Sequence, residues 1–227
     1  MKMPAVFKKS VSYLLNKFLA LNNVIVVSYN DDMLGGKNVI SFISGLKDEK
    51  ILTLDLHEAA FLNSLAKSVG KIKGDFAEVG VYKGGSAKVL CSSKGDKNLF
   101  LFDTFEGLPK PSDIDKRFWE GEYKASLEEI KHSFRECSNA HFIKGVFPGS
   151  ARFLGDRKFS LVHLDVDLYK SVYDSLDFFY ARMNAGGIIL SHDFQLNGVR
   201  KAFEDFFKNK PETVIGVMGS QCIVVKL

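Results

Sequence analysis

Asp165 and Asp167 stand two residues apart in the segment HLDVDLYKS, at the exit of the apolar run Phe159–Leu164. On a strand, residues i and i+2 share a face and lie about 6.6 Å apart at ~3.3 Å rise per residue. Carboxylates that close repel unless a cation or a proton mediates between them. A third acid, Asp193, ends the next apolar run, GGIILSHDF, with His192 beside it. Acids at the carboxyl ends of adjacent strands make a candidate metal and general-base site.

A second constellation lies upstream, in Asp75-Phe-Ala-Glu-Val-Gly-Val-Tyr-Lys-Gly-Gly-Ser86. Gly80, Gly84 and Gly85 would let the backbone turn sharply where a strand meets a helix, and Ser86 is placed to help cap that helix. Asp103 closes the following apolar run, near the ~20-residue offset at which a carboxylate meets a ribose. Glycine here can also serve nothing more than a tight turn; with Asp103 so placed, a nucleoside-containing cofactor is favoured. The spacing is GxxxGG rather than GxGxxG, and Glu78 precedes Gly80 by two residues. A carboxylate there suits a ligand with a positive end, such as a methionine amino group, better than a pyrophosphate.

The elements that must position these residues read as alternating strands and helices. Apolar runs at Asp75–Gly80, Asn98–Asp103, Ala140–Gly145, Phe159–Asp165 and Gly187–Ser191 alternate with helical patterns at Ser86–Ser93, Ala125–Cys137, Ser171–Met183 and Gly198–Asn209. That order predicts an α/β, Rossmann-like, doubly wound and mostly parallel sheet. Thr213–Met218 and Cys222–Lys226 are too close in sequence for a crossover and predict a closing antiparallel hairpin, giving seven strands. Residues 1–53 read as an N-terminal helical and loop extension, and 54–227 as the main domain, entered through an amphipathic helix over Leu54–Val69. Residues 107–124 form a long connection, a lid candidate carrying Arg117, Phe118, Trp119 and Tyr123. An aromatic platform there suits a sugar ring or serves to anchor the loop.

The bulk numbers exclude several classes. The 227 residues carry a net charge of +4, with 46% hydrophobic and 26% charged residues interspersed, and no basic block that would indicate nucleic acid. Val11–Val27 is interrupted by Asn16, Lys17, Asn22 and Asn23, so it predicts an amphipathic helix rather than a membrane span. Its apolar face predicts self-association, hence a homo-oligomer. Cys91, Cys137 and Cys222, without a CxxC pair or an even count, predict reduced thiols in a cytoplasmic chain. His163 shares a strand face with Asp165 and reads as a packing residue, while His57, His132 and His141 read as surface or packing residues.

The strings EVGVYKGGSA, LFLFDTFEGLP, FIKGVFPGS, LVHLDVDLYKSVYDSL and AGGIILSHDF resemble, in the same order, those of the macrocin-type (TylF/MycF/NovP) O-methyltransferases, over roughly Leu54–Leu227. The resemblance implies S-adenosylmethionine as cofactor and a sugar, sugar nucleotide or glycoside hydroxyl as acceptor. Carried over by position, it puts Glu78, Gly80, Gly84, Gly85 and Ser86 at the methionine end and Asp103 on the ribose hydroxyls. Thr104 and Phe105 would line the same pocket, Gly145 and Ser150 would flank the adenine, and Asp165 would sit beside the cofactor as a metal ligand. Asp167 would be the general base. His192-Asp193-Phe194 departs from the family's Asp-Asp-Tyr. Three readings stay open: magnesium held by Asp165, Asp193 and waters; a softer ion such as manganese, using His192; or no metal, with His192 assisting the base. Rival functions are methylation of a phenol or catechol and non-catalytic cofactor binding through a degenerate metal site. A nicotinamide dehydrogenase is disfavoured by the glycine spacing and the hairpin.

Overall fold

The computed structural model describes residues 31–217 and 219–227; the expected helix over Val11–Val27, and the self-association read from it, lie outside these residues. The helices are α1 (Lys37–Asp48), α2 (Leu56–Ser68), α3 (Gly85–Ser93), α4 (Leu127–Ser133), α5 (Tyr169–Tyr180) and α6 (Asn197–Phe207). The strands are β1 (Asp75–Val79), β2 (Leu99–Asp103), β3 (Ala140–Lys144), β4 (Phe159–Leu164), β5 (Met183–Ser191), β6 (Ile215–Gly216) and β7 (Cys222–Val225). They form one sheet in the order β3-β2-β1-β4-β5-β7-β6. The first five are parallel, and β7 runs antiparallel to both β5 and β6. The expected doubly wound sheet with its closing hairpin is the observed one.

Strand order reverses between β1 and β4, each leading into a loop at its carboxyl end, and such a switch point opens a crevice for ligands. Both faces of the sheet are covered, which is why β4 is buried along its whole length. Ala77, Val79, Val162 and Leu164 face α5 and α6, where Phe159, Phe179 and Phe203 are fully buried. Phe76, Leu101, Leu161 and Leu190 face the other layer, built by α1, α2 and α3. Each fully buried aliphatic or aromatic side chain there contributes roughly 1.5–3 kcal/mol.

Helix α1 was not marked out in the sequence, where residues 37–53 read as part of a loose extension. It starts after Gly35 and Gly36, both at positive φ, and buries Ile43 and Leu46. The helix expected over Ala125–Cys137 is shorter, because Ser126 caps its start, accepting from the Glu129 N–H at 3.4 Å, and the chain turns at Phe134.

The cysteine reading is corrected. Cys91, near the end of α3, and Cys137, just past α4, form a disulfide with their Cα atoms 6.2 Å apart; Cys222 is free and buried. The fold brings together two residues far apart in sequence, at a separation the bond requires, so spacing and an odd count carried no sign of it. The argument from thiols to a reducing compartment falls with it. Among the described residues no helix is long and apolar enough to cross a membrane. Alkylation of the unreduced, unfolded protein followed by mass analysis should label Cys222 alone; three labelled cysteines would restore the reduced reading.

Candidate active site

The Gly-rich turn and the acidic cluster open into one cleft of about 260 Å³, lined among others by Gly80, Asp103, Asp165, Asp167, His192 and Asp193. β1 delivers the turn. Gly80 has φ +89°, and a Cβ there would stand 1.8 Å from the Asp165 carbonyl oxygen at the exit of β4. Gly84, at φ +84°, is the residue before α3, and a Cβ on Gly85 would meet the Ile51 carbonyl at 2.5 Å. These glycines let the turn press against its neighbours, and their presence was readable in the sequence.

Asp103, at the end of β2, holds that turn. One carboxylate oxygen accepts the N–H groups of Val81 at 2.7 Å and Tyr82 at 2.8 Å, and the other accepts the Phe105 N–H at 2.7 Å. A carboxylate offers about four acceptor positions. The Thr104 hydroxyl lies 3.5 Å from the oxygen that accepts Phe105, at the fourth position, so a ribose would place one hydroxyl there by displacing this long contact, and a second only in place of an N–H donor.

Not every expected cofactor residue reaches the cleft. Gly80, Gly85, Ser86, Asp103, Thr104, Gly145 and Asp165 line it; Glu78, Gly84, Phe105 and Ser150 do not. Phe105 is buried and contributes its backbone N–H to Asp103. Ser150 keeps a buried hydroxyl without a partner among the described residues, its Cβ 3.2 Å from where a Cβ on Gly145 would lie. Glu78 is fully buried behind the turn, with Oε1 2.7 Å from Nδ1 of His163. Among the described residues its Oε2 and the His163 Nε2 have no hydrogen-bond partner. Burial pushes the Glu78 carboxyl up, against the opposing pull of the His163 bond.

Asp165, Asp167, His192 and Asp193 are brought together as expected. Asp167 and Asp193 both sit at φ +57°, just past their strands, in a left-handed conformation that Asp tolerates better than most residues. His192 Nδ1 lies 3.2 Å from an Asp165 oxygen and 2.9 Å from an Asp193 oxygen. One ligand atom from each of these three residues lies within 4.8 Å of the others. Burial opposes charge on His192, but the surrounding carboxylates outweigh it and push its pKa far up. Burial, then the Asp165 and Asp193 charges, push Asp167 up to about 8. Burial also works against Asp193, yet the bond from His192 holds its carboxyl below the usual range.

Sequence reasoning missed Glu58. It lies on the first turn of α2, is 4% exposed, and puts Oε2 3.4 Å from His192 Nε2. Its Oε1 accepts the Ser220 N–H at 2.8 Å and hydroxyl at 2.6 Å, while Oε2 accepts the Asp55 N–H at 2.9 Å. Burial pushes this carboxyl up, but the bonds from His192, Ser220 and Asp55 hold it well below the usual range. The Asp-x-x-Glu capping box at Asp55–Glu58 was a visible signal of a helix start; the partner just past the end of a distant strand was not. Also missed were Thr53, Tyr82 and Phe147 in the lining.

The lid candidate is a closed loop. Its neck is pinned by the Leu108 N–H to Glu122 O bond at 2.7 Å and the Gly121 N–H to Leu108 O bond at 2.9 Å. Asp115, 3% exposed, ties it to the body by accepting the Tyr169 N–H at 3.1 Å. Phe118 is buried and anchors the loop, Arg117 and Tyr123 reach the cleft, and Trp119 is 63% exposed.

The macrocin O-methyltransferase (TylF) family model matches residues 57–217. A tetracenomycin-C 4'-O-methyltransferase, acting on the 8-demethyl-8-(2,3-dimethoxy-alpha-L-rhamnosyl) form, from Streptomyces olivaceus is 26% identical over 152 residues, 60% of this chain and 58% of the relative. Demethyldecarbamoylnovobiocin O-methyltransferase from Streptomyces niveus is 23% identical over 145 residues, 55% of this chain and 54% of the relative. The chain thus spans a little over half the length of these relatives. The structure of the O-methyltransferase NovP shares the fold with a TM-score of 0.64 at 19% identity, covering 73% of this chain and 79% of that one.

Proposed function

The chain belongs to the macrocin O-methyltransferase family, and from that premise we propose that it transfers the methyl group of S-adenosylmethionine to a hydroxyl of a sugar, sugar nucleotide or glycoside. The observation that carries this reading is the single cleft joining Asp103 and its glycine turn to the Asp165–Asp167–His192–Asp193 cluster. A cofactor seated on the first would present its methyl group toward the second. The relatives, a rhamnosyl-tetracenomycin 4'-O-methyltransferase and a demethyldecarbamoylnovobiocin O-methyltransferase, support a glycosylated acceptor.

In the reaction the acceptor oxygen attacks the methyl carbon in line with the departing sulfur. The carbon–oxygen bond forms, the carbon–sulfur bond breaks, and its electron pair neutralises the sulfonium to give S-adenosylhomocysteine. Alignment of this kind is worth up to ~7–11 kcal/mol of a barrier. Asp167 takes the hydroxyl proton. Without a cation its carboxyl is pushed up to about 8, which makes it a stronger base than an ordinary carboxylate, as suits a weakly acidic alcohol.

The donor set also fits a divalent cation. Two carboxylates and an imidazole converge, and the ring's far nitrogen faces a carboxylate, the arrangement seen around metal-ligating histidines. Asp165, Asp193 and His192 would hold the ion, a set that suits manganese at least as well as magnesium. Bound there, it would stabilise negative charge developing on the acceptor oxygen.

Incubation with methyl-labelled cofactor and a panel of sugar nucleotides, glycosides, phenols and catechols, with and without EDTA, tests the reading. Label on a sugar hydroxyl is expected. Label only on phenols or catechols would move the acceptor class, and S-adenosylhomocysteine binding without any transfer would make this a cofactor-binding protein. Asp103→Ala should weaken S-adenosylhomocysteine binding about ten- to a hundredfold by calorimetry. The variant loses a charged acceptor, worth roughly 1.5–3 kcal/mol per bond, and releases the turn. Unchanged affinity would reject the ribose role.

A further inference from the structure

A buried carboxylate outside the expected constellation stands behind the imidazole that departs from the family pattern. Glu58 sits on α2, in a layer of the fold separate from β1, β4 and β5, and is 4% exposed. Three donors fix its carboxylate: the Asp55 N–H, the Ser220 N–H and the Ser220 hydroxyl. A carboxylate so held cannot swing away, and its Oε2 faces Nε2 of His192 at 3.4 Å. The opposite ring nitrogen, Nδ1, faces Asp165 and Asp193. The hairpin turn is shaped for this contact. Gly219 has φ +92°, and a Cβ there would stand 2.7 Å from Glu58 Oε1.

We infer that Glu58 is a positioning residue, which holds the His192 ring with Nδ1 aimed at the Asp165–Asp193 pair. At 3.4 Å the contact is an electrostatic one rather than a tight hydrogen bond, yet it is directional because both partners are buried and Glu58 is pinned. A carboxylate on the outer nitrogen fixes which nitrogen faces inward and how the ring lies; loss of such a partner typically costs 10–100-fold in metal affinity or activity. The substitution of an imidazole for an acid at position 192 therefore comes with its own support. The inference rests on the proposed methyl transfer for its kinetic arm and on the proposed cation for its spectroscopic arm.

The test compares Glu58→Gln and Glu58→Asp with Ser220→Ala in the full chain. Glu58→Gln removes the charge facing His192, and Glu58→Asp draws it back by one methylene. Ser220→Ala removes a hydroxyl bond to Glu58 but keeps the backbone N–H bond, so it loosens the brace while leaving the carboxylate facing the ring. Three readouts are taken: kcat, S-adenosylhomocysteine affinity, and the electron spin echo of bound manganese(II), which reports a directly coordinated imidazole nitrogen. Both Glu58 variants should lower kcat about 10–100-fold and lose the nitrogen coupling, with S-adenosylhomocysteine affinity kept. Ser220→Ala should lower the melting temperature and lower kcat clearly less than either Glu58 variant, because the Ser220 and Asp55 N–H groups still hold the carboxylate.

If either folded Glu58 variant keeps both kcat and the nitrogen coupling, the inference is overturned. It is equally overturned if Ser220→Ala loses as much kcat as they do, for then Glu58 is a structural brace. If wild type itself shows no nitrogen-coupled manganese, the cation reading fails, and the kcat contrast between the Glu58 variants and Ser220→Ala alone decides the role of Glu58.

Discussion

Asp167→Asn should lower kcat by about 10²–10⁴-fold, the range general-base catalysis supplies, with S-adenosylhomocysteine affinity nearly unchanged. Asn is the informative replacement because Asp167 lies at φ +57°. Asn tolerates this left-handed conformation, whereas Ala would add backbone strain. The variant keeps the shape of the side chain and loses only its basicity.

The same change should not cost stability. The Asp167 carboxyl is pushed up to about 8, first by burial and then by Asp165 and Asp193. A carboxyl whose folded pKa exceeds its unfolded value binds more protons when folded, so it lowers stability as pH rises from about 4 towards 8. Asn removes that penalty, and urea denaturation at pH 8 should find the variant at least as stable as wild type. A variant that is both inactive and unstable would point to a structural role instead. Wild-type activity should fall as pH drops below about 8 in metal-free buffer, since only the ionised Asp167 accepts a proton. A cation held by Asp165 and Asp193 would draw that limb to lower pH. A flat profile across this range, with full activity in Asp167→Asn, would sink the base assignment.

Legibility in the sequence followed the range of each interaction. β1, β2, β3 and β4 were readable to within a residue or so because each is a short apolar run closed by Gly, Asp or Lys, and a sheet buried on both faces demands such runs. The pairing of Asp165 with Asp167 was readable because it lies within one strand exit. What failed was long-range. Cys91 and Cys137 stand 46 residues apart and meet only in the folded chain, and nothing in their spacing encodes the contact. Glu58 and His192 meet only when the first turn of α2 comes up against the residue that follows β5. Glu78 illustrates a different limit. Its place two residues before Gly80 suggested a ligand contact, but β1 pairs it directly with His163, and the buried pair faces α2 and α3 instead of the cleft. Strand parity sets the face on which a side chain lies, but not whether a ligand reaches it.

Gly80→Ala should be the most damaging single-methyl change in the site. The added Cβ would stand 1.8 Å from the Asp165 carbonyl oxygen and 2.7 Å from its carbon, both backbone atoms of the adjacent strand exit. Neither can move as a side chain would, because the Asp165 N–H is bonded to Val79 O at 2.9 Å and the Gly80 N–H to Phe102 O at 2.9 Å. The conformation adds to the clash, since φ is +89°. Overpacking costs about 1–3 kcal/mol and a forced backbone conformation about 1–3 kcal/mol. The expected loss of about 2–6 kcal/mol is a large share of a typical 5–15 kcal/mol stability. The consequence reaches both halves of the site, because relief requires β1 and β4 to part at their carboxyl ends. That motion draws the Val81 and Tyr82 N–H groups from Asp103 and shifts Asp165 relative to His192. Chemical denaturation should show the stability loss, and calorimetry on the folded fraction should show weakened S-adenosylhomocysteine binding. A loss below about 1 kcal/mol with native affinity would mean that the turn can slide away from β4, and that the close approach of the two strand exits is not what couples the cofactor turn to the acids.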